Sequence, residues 1–157
     1  MANMIETQRL LLRQFTQEDL KAYHQVLKQK AVYKWLGKGT KITKEHVSRI
    51  INHDQTHWHR HQLGTWAVVL KASSQLIGHC GFTMVKDLNQ YELLYAFSPS
   101  FWGKGYATEA CLVSIKWLHY HTDIDTIIAL SYLNNQPSIH IIEKLGFQFI
   151  KEYPYIM

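Results

Sequence analysis

Residues 95–110 read Y-A-F-S-P-S-F-W-G-K-G-Y-A-T-E-A, and the rest of the chain is organised around this stretch. A short run of β-type residues, 91–97, leads into it and predicts a strand. Behind it, apolar residues recur at three- and four-residue spacing, which predicts one buried face of a helix. The residues on this face are Ala107, Cys111, Ile115 and Leu118. The stretch therefore predicts a strand joined to a helix through a turn that contains two glycines.

The turn itself consists of Gly103, Lys104 and Gly105. Glycines adopt positive φ angles easily and let another molecule approach the backbone closely. A helix that begins directly after them presents unpaired N–H groups and the positive end of its dipole. Together with the charge of Lys104, these features predict an anion cradle best suited to phosphate. The alternative is a turn that needs glycine only for its geometry, because a lone G-x-G is weak evidence.

The length and composition indicate one folded domain. A chain of 157 residues with 46% apolar residues can bury a substantial core. No stretch is long and apolar enough to span a bilayer, and the first residues lack the pattern of a signal peptide. Cys80 and Cys111 are too few and too dispersed for a disulfide framework or a zinc knuckle, so we expect both in the core and the protein in a reducing cytoplasm.

The net charge of +5 is spread along the chain rather than gathered into a block. Nucleic-acid binding would need a basic face or a reading motif, and the sequence has neither, so we expect no nucleic-acid partner. The net charge suits a small anionic ligand that carries phosphate. It is equally compatible with a protein that binds no specific anionic ligand.

Hydrophobic periodicity predicts a single α/β domain of the α+β type, with a mainly antiparallel first half and a βαβ-like second half. The predicted strands span residues 6–14, 64–70, 76–85, 91–97, 125–132 and 147–153. Predicted helices begin at Thr16, at Thr43 and behind the glycine turn, and a short one ends at Lys144. The run 125–132 is continuously apolar, which is typical of a strand covered on both faces. Gly78 and Gly81 predict a bulge or a close backbone contact.

Histidines are concentrated in the second half of the helix that begins at Thr43. His53, His57 and His61 recur at four-residue spacing, which permits a metal site on one helix face. Because no Cys or Glu nearby completes a ligand set, we interpret these histidines as a solvated helix face and expect no metal.

Three motifs in order resemble the GCN5-related N-acetyltransferase (GNAT) superfamily. W-G-K-G-Y-A-T-E-A at 102–110 resembles its acyl-CoA-binding motif, and N-Q-P-S at 135–138 followed by E-K-L-G-F at 143–147 resembles its downstream motif. T-Q-R-L-L-L-R at 7–13 and Y-E-L-L-Y at 91–95 are similar to the ribosomal-protein N-terminal acetyltransferase (RimJ/RimL-like) branch. The resemblance covers nearly the whole chain. It implies one GNAT domain over residues 1–157, with a mixed, mostly antiparallel twisted sheet, a splayed central strand pair and helices on both faces.

The resemblance also implies where acetyl-CoA binds. The family's pyrophosphate loop falls on residues 102–107, where Trp102 replaces a family Gln or Arg. Backbone N–H groups of Gly103, Lys104, Gly105, Tyr106, Ala107 and Thr108 would then hold the pyrophosphate. The pantetheine arm would pair with the backbone at Ala96 and Phe97, in a wedge between splayed strands, as an added strand does. Asn135 matches the family residue that contacts the pantetheine region.

The chemistry implied by the family is direct attack of an amine on the thioester. Glu92 stands where the family often keeps a carboxylate and is our candidate base. Ser138 matches the position that can protonate the departing thiolate, and the N–H near Phe97 is the expected oxyanion donor. The alternatives are that Ser138 only caps the following helix and that Glu92 is only a solvated or paired strand residue. Leu94 stands where this branch usually has Gly.

The last residues depart from the family pattern. Residues 148–157 leave no room for the turn and additional strand that usually follow E-K-L-G-F, and Pro154 cannot donate to a ladder. This predicts an exposed sheet edge that is filled in a homodimer, or a truncated chain.

The leading hypothesis is an acetyl-CoA-dependent N-acetyltransferase acting on a primary amine, either a protein N-terminus or a small amine. The alternative is a non-catalytic acyl-CoA-binding sensor or interaction module. A third hypothesis is a domain that binds metal or nucleic acid through its histidines and net charge.

Overall fold

A five-stranded antiparallel sheet forms the centre of the computed structural model, which describes residues 3–152. The strands run in sequence order across the sheet. They are β1 Ile5–Glu6, β2 Leu10–Gln14, β3 Thr65–Leu70, β4 Leu76–Val85 and β5 Gln90–Phe97. The helices are α1 Leu20–Leu27, α2 Lys30–Tyr33, α3 Lys44–His61, α4 Tyr106–His121 and α5 Gln136–Lys144. The predicted α+β class with a mostly antiparallel sheet is therefore confirmed.

Helices cover both faces of the sheet, as predicted. Helices α1 and α3 pack on one face, where Tyr23, Leu27, Val47 and Ile51 are buried against β3 and β4. Helix α4 packs on the other face through a second set of buried residues, namely Ala110, Cys111, Trp117 and Leu118. Both cysteines are buried and free, with their Sγ atoms 3.8 Å apart, which confirms their expected place in the core.

The predicted helix starts are close to the observed ones. The side chain of Thr43 accepts a hydrogen bond from the His46 N–H, so it caps α3 as predicted. At Thr16 the chain first makes a short 3-10 turn, and the Thr16 N–H donates to the Asp19 carboxylate at 2.9 Å before α1 begins. The short polar side chains at both starts satisfy helix-end groups that would otherwise be unpaired.

Two glycines in β4 lie where the backbone has no space for a side chain. A Cβ added to Gly78 would lie 2.1 Å from the Ala96 carbonyl oxygen, and one added to Gly81 would lie 2.3 Å from the Gly64 carbonyl oxygen. The prediction of close backbone contacts at these positions is thus confirmed.

Two predicted strands are wrong. Residues 125–132 form one parallel bridge, at Ile128, rather than a strand covered on both faces, and this segment is half-buried or exposed. Residues 147–152 form no strand, and Phe149 and Ile150 are exposed. In neither case does the apolar run form a continuous ladder with a neighbouring strand, and a strand requires such pairing as well as a suitable pattern. Residue 153, the end of the last predicted strand, and residue 154 lie outside the described residues.

The histidine interpretation is wrong for His57. Its side chain is buried, with Nδ1 2.8 Å from the Leu63 carbonyl oxygen and Nε2 accepting the Met84 N–H at 3.0 Å. These two bonds fix the neutral tautomer with the proton on Nδ1. Burial lowers the pKa of His57, which favours the same neutral form. Within residues 3–152, no cluster of three or more His, Cys, Asp or Glu side chains is arranged to hold a metal ion.

Candidate active site at the end of strand β5

The turn behind β5 has the backbone geometry of an anion cradle. Gly103 has φ +73° and Gly105 has φ +82°, values that residues with a side chain rarely adopt. Gly105 is the N-cap of α4 and offers no side chain to the helix end. The N–H groups of Tyr106, Ala107 and Thr108, which begin α4, have no intrahelical acceptor because of their position. They are therefore available, with the positive end of the helix dipole, to an anionic ligand.

Arg9, directly before β2, fastens this turn to the sheet. Its Nη1 donates to the Lys104 carbonyl oxygen at 3.0 Å, and its Nε and Nη2 both lie 2.7 Å from Oε1 of Glu109 in the first turn of α4. The guanidinium also lies 4.3 Å from the centre of the Tyr106 ring. Burial opposes ionisation of Glu109, but hydrogen bonds from Thr7 and Arg9 outweigh it and lower the pKa of this carboxyl. The network holds the cradle in place and neutralises a carboxylate beside it.

Replacing Arg9 with Met is expected to raise the dissociation constant of a diphosphate ligand at this turn about tenfold, since the variant loses one charge-assisted contact to the turn. It also leaves the Glu109 charge unpaired next to the cradle. Calorimetric titration with a nucleoside diphosphate measures this effect.

Arg13→Met is the matched control, because Arg13 forms a similar pair with Asp19, at 2.9 and 2.8 Å, away from the turn. The control variant should lose stability without a change in that dissociation constant. Equal dissociation constants for Arg9→Met and the wild type would contradict the role of Arg9.

Trp102 ties the same turn to the end of β5. Its side chain is half exposed, and its indole N–H donates to the Phe97 carbonyl oxygen at 2.7 Å. The Phe97 carbonyl has a second lone pair, so it can still accept another hydrogen bond. Lys104 lies near the Phe101 ring, with Nζ 5.8 Å from the ring centre, so a basic side chain is present at the turn.

The free edge of β5 opens toward this turn. Glu92 forms a single parallel bridge with Ile128, in which the Leu93 N–H donates to the Ile128 carbonyl oxygen at 2.9 Å. Within residues 3–152, the two segments share no further bridge, so they separate beyond this point. Backbone groups alternate along a strand, so those of Tyr95 and Phe97 face the opening as those of Leu93 do. The backbone N–H and carbonyl groups of Ala96 point toward β4, where Ala96 is opposite His79.

Glu92 lies on the face of the sheet that α1 and α3 cover, because its side chain alternates with that of buried Leu93 on the α4 face. Leu94 and Ala96 point to the same side as Glu92. Burial raises the pKa of Glu92 to about 7, since the charged carboxylate is poorly solvated there. A carboxyl group with this pKa can accept a proton near neutral pH.

Ser138 lies on the opposite face of β5, beside Tyr95. The hydroxyl oxygens of the two residues are 3.2 Å apart, and burial raises the pKa of Tyr95 to about 12, so this phenol stays protonated. Asn135, rather than Ser138, caps α5, because its side-chain oxygen accepts the Ser138 N–H at 3.4 Å. The helix-cap alternative for Ser138 is therefore wrong, and its hydroxyl lies in the first turn of α5.

Two contacts of this site were missed by sequence reasoning. Arg9 belonged to the opening motif but received no role, and Tyr95 was not connected to Ser138. Their partners lie far away in the chain, so no local pattern reveals them.

Within residues 3–152, no helix has both the length and the hydropathy that crossing a bilayer requires.

Comparison with known proteins gives a consistent result. Residues 9–148 match the family model described as the acetyltransferase (GNAT) domain. The chain is 28% identical over 144 residues to the uncharacterized N-acetyltransferase YnaD of Bacillus subtilis (strain 168), covering 92% of this chain and 82% of YnaD. It is also similar to the crystal structure of a GNAT-family acetyltransferase from Bacillus anthracis, with 28% identity, a TM-score of 0.80 and coverage of 92% and 83% of the two chains.

A second similar structure is RimL, described as a ribosomal L7/L12 alpha-N-protein acetyltransferase in complex with coenzyme A. Its TM-score is 0.76 at 21% identity, with 92% of this chain and 84% of RimL covered. At this identity, the likeness shows the shared fold.

Proposed function

The chain belongs to the GNAT acetyltransferase family, and from this premise we propose that it transfers the acetyl group of acetyl-CoA to a primary amine. The transfer proceeds by direct attack of the amine within a ternary complex, without a covalent enzyme intermediate. The amine is a small molecule or a protein N-terminus.

The observation that carries this proposal is the position of the cradle beside the open edge of β5. Gly103 leaves open space where a Cβ would be, and α4 directs unpaired N–H groups at the same place. A pyrophosphate bound there leaves its thioester arm free to pair with the backbone at Phe97, as an added strand does. The residues of the cradle and of the open edge of β5 fit acetyl-CoA as a co-substrate, with Asn135 near its pantetheine arm.

Glu92 and Ser138 have complementary roles in the proposed reaction. Glu92, on the α3 side of β5, takes the proton of the incoming amine directly or through a water. The Phe97 N–H faces the opening and donates to the oxyanion that develops on the carbonyl oxygen. Ser138, on the other side of β5, donates a proton or a hydrogen bond to the departing thiolate. The Tyr95 hydroxyl, 3.2 Å from the Ser138 hydroxyl, positions that group.

Ser138→Ala is expected to lower kcat roughly 10- to 100-fold, as loss of a proton donor does, while acetyl-CoA affinity changes less than about threefold. The cap of α5 stays intact in this variant, because the Ser138 N–H and the Asn135 side chain remain. Single-turnover rates and calorimetric titration with acetyl-CoA measure the two quantities separately. Ser100→Ala serves as a nearby control, and an unchanged kcat in Ser138→Ala would remove Ser138 from the mechanism.

Two measurements test the function as a whole. Acetyl-CoA at 100 times its dissociation constant should stabilise the protein by about 2.7 kcal/mol in a thermal shift experiment. Thiol release should then be seen with at least one member of a panel of primary amines. Stabilisation without thiol release would indicate the alternative, a non-catalytic acyl-CoA-binding sensor. Absence of both effects would refute the proposal.

The expected homodimer is a separate proposal, supported by the exposed Phe149 and Ile150 near the end of the described chain. Solution mass measured by light scattering tests it, and a monomer at all accessible concentrations would contradict it.

A further inference from the structure

A cavity of about 490 Å³ lies between the sheet and the helices α1 and α3, on the side of β5 that carries Glu92. Its volume is in the range of small-molecule sites. Three exposed residues of the loop before α3, together with His46, form its mouth. These loop residues are Gly37, Lys38 and Thr40. The floor is buried and consists of Tyr23, Thr65 and His79.

Two buried polar atoms that belong to residues lining the cavity have no hydrogen-bond partner among residues 3–152. The Tyr23 hydroxyl and His79 Nδ1 are 2.8 Å apart, but His79 Nε2 is buried without a hydrogen bond, and His79 is only 5% exposed. Asp54 Oδ2 is also buried without a partner, and Asp54 lines the same cavity. Buried polar atoms without partners are costly, so their presence together in a cavity points to a ligand that completes them.

The walls between mouth and floor are apolar. They are formed by Leu27, Leu36, Ile42, Ile50 and Leu94. Asp54 is the one carboxylate among the lining residues, while Lys38 stands at the mouth. A ligand with one cationic group and an apolar body fits this distribution, because a second charge would lie between apolar walls without compensation.

The cavity reaches the strand to which the proposed function assigns the thioester. Leu94 belongs to both the cavity wall and β5, and His79 is directly opposite Ala96 in the β4–β5 ladder. Cross-strand neighbours on one face lie about 5 Å apart, so a group bound at His79 is close to the end of β5. Glu92 points to the same face two residues before Leu94.

We propose that this cavity is the acceptor pocket and that it selects a small primary monoamine with an apolar body, whose amino group binds at Asp54 and His79. This inference rests on the proposed transferase function. A peptide N-terminus fits less well, because its first amide and carbonyl groups would lie between the apolar walls without hydrogen bonds. A polyamine is disfavoured by its additional charges. Burial raises the pKa of Asp54, and an ammonium group in the cavity would restore its ionised form.

The first experiment compares three acceptors at saturating acetyl-CoA by thiol release, namely phenethylamine, spermidine and a short peptide with a free N-terminal serine. Phenethylamine is expected to have a kcat/KM at least about tenfold above the other two, since unpartnered polar groups in the rejected acceptors are penalised. A preference for spermidine or for the peptide would overturn the proposal.

The second experiment uses Asp54→Asn, which keeps the size of the side chain. The KM for phenethylamine should rise by about tenfold or more, as expected for loss of a charge-assisted hydrogen bond, with the KM for acetyl-CoA unchanged. The matched control is Asp87→Asn at an exposed position outside the cavity. An unchanged phenethylamine KM in Asp54→Asn would overturn the proposal.

A cavity-filling variant, Leu36→Trp, provides an independent measurement. It should abolish the thermal stabilisation that phenethylamine gives in the presence of CoA, while stabilisation by acetyl-CoA alone persists. Retained phenethylamine stabilisation in this variant would overturn the proposal. The experiments distinguish rejection of the proposed acceptor pocket from rejection of the proposed transferase function. Acetylation of other amines with unaltered kinetics in Asp54→Asn rejects only the pocket, whereas the absence of both acetyl-CoA stabilisation and thiol release rejects the function and the pocket together.

Discussion

Gly105→Glu is expected to abolish acetyl-CoA binding and, with it, all turnover. Gly105 has φ +82° at the N-cap of α4, and an added Cβ would already lie 3.4 Å from Arg9 Nη2. A glutamate there is strained by its backbone angle, and its side chain extends next to the N–H groups that the pyrophosphate needs. Its negative charge also occupies the positive end of the helix dipole and repels the diphosphate. Thermal shift with acetyl-CoA measures the loss, which should reach the full stabilisation seen in the wild type.

Gly146→Glu is the matched control for this variant. Gly146 follows α5, has φ +98°, and has no heavy atom within 4 Å of an added Cβ. The two variants therefore introduce the same charge at a glycine with a positive φ, but only one lies in the cradle. Equal stabilisation of both variants by acetyl-CoA would show that the co-substrate binds elsewhere.

Glu92→Gln is expected to lower kcat about 10²- to 10⁴-fold, the usual contribution of a general base. Glutamine keeps the shape of the side chain and its contacts but cannot accept the proton of the amine. The acetyl-CoA dissociation constant should stay within about twofold, since Glu92 lies away from the cradle. Glu152→Gln, at an exposed position, controls for the loss of one negative charge. A kcat for Glu92→Gln near that of the wild type would leave proton removal to another group.

The pH dependence follows from the raised pKa of Glu92. The carboxylate is the active form, so wild-type kcat should fall below a pH of about 7 and level off above it, and this inflection should vanish in Glu92→Gln. The effect of Glu92 on folding stability has the opposite pH dependence to its effect on kcat. A folded-state pKa raised from 4.5 to about 7 makes ionisation unfavourable in the fold, so stability is lost as pH rises through this range. Glu92→Gln should therefore melt above the wild type at pH 8, with a smaller difference at pH 5.

The local features of the fold were predictable because they depend on neighbours in the chain. The cap at Thr43 and the apolar face of α4 with Cys111 and Leu118 follow from spacing alone. The glycine turn before α4 also lies within a short stretch of the chain, so the glycines at 103 and 105 were sufficient to predict the turn, while its use as an anion cradle stays a prediction. Glu92 was predictable only as a position, whereas its pKa depends on the elements that bury it.

The predictions that were wrong depend on which distant residues or segments contact one another. The apolar run at 125–132 has the composition of a buried strand, yet it meets β5 only through Ile128. Composition does not specify whether another strand lies beside a segment, because pairing depends on the position of distant parts of the chain. The same reason explains His57, which was interpreted as part of a solvated helix face because no Cys or Glu nearby completes a ligand set, but whose ring is held by Leu63 and Met84.

By itself, the sequence determined the class of fold and the place of the glycine turn before α4, since strand periodicity, helix caps and glycine turns act over a few residues. Only the tertiary structure decided how the cradle is fastened by Arg9, that Ser138 faces Tyr95, and that His79 and Asp54 share a cavity behind β5. These groups come from separate strands and helices. Their contacts exist only because packing of α1, α3 and α4 on the sheet brings distant residues within hydrogen-bond distance.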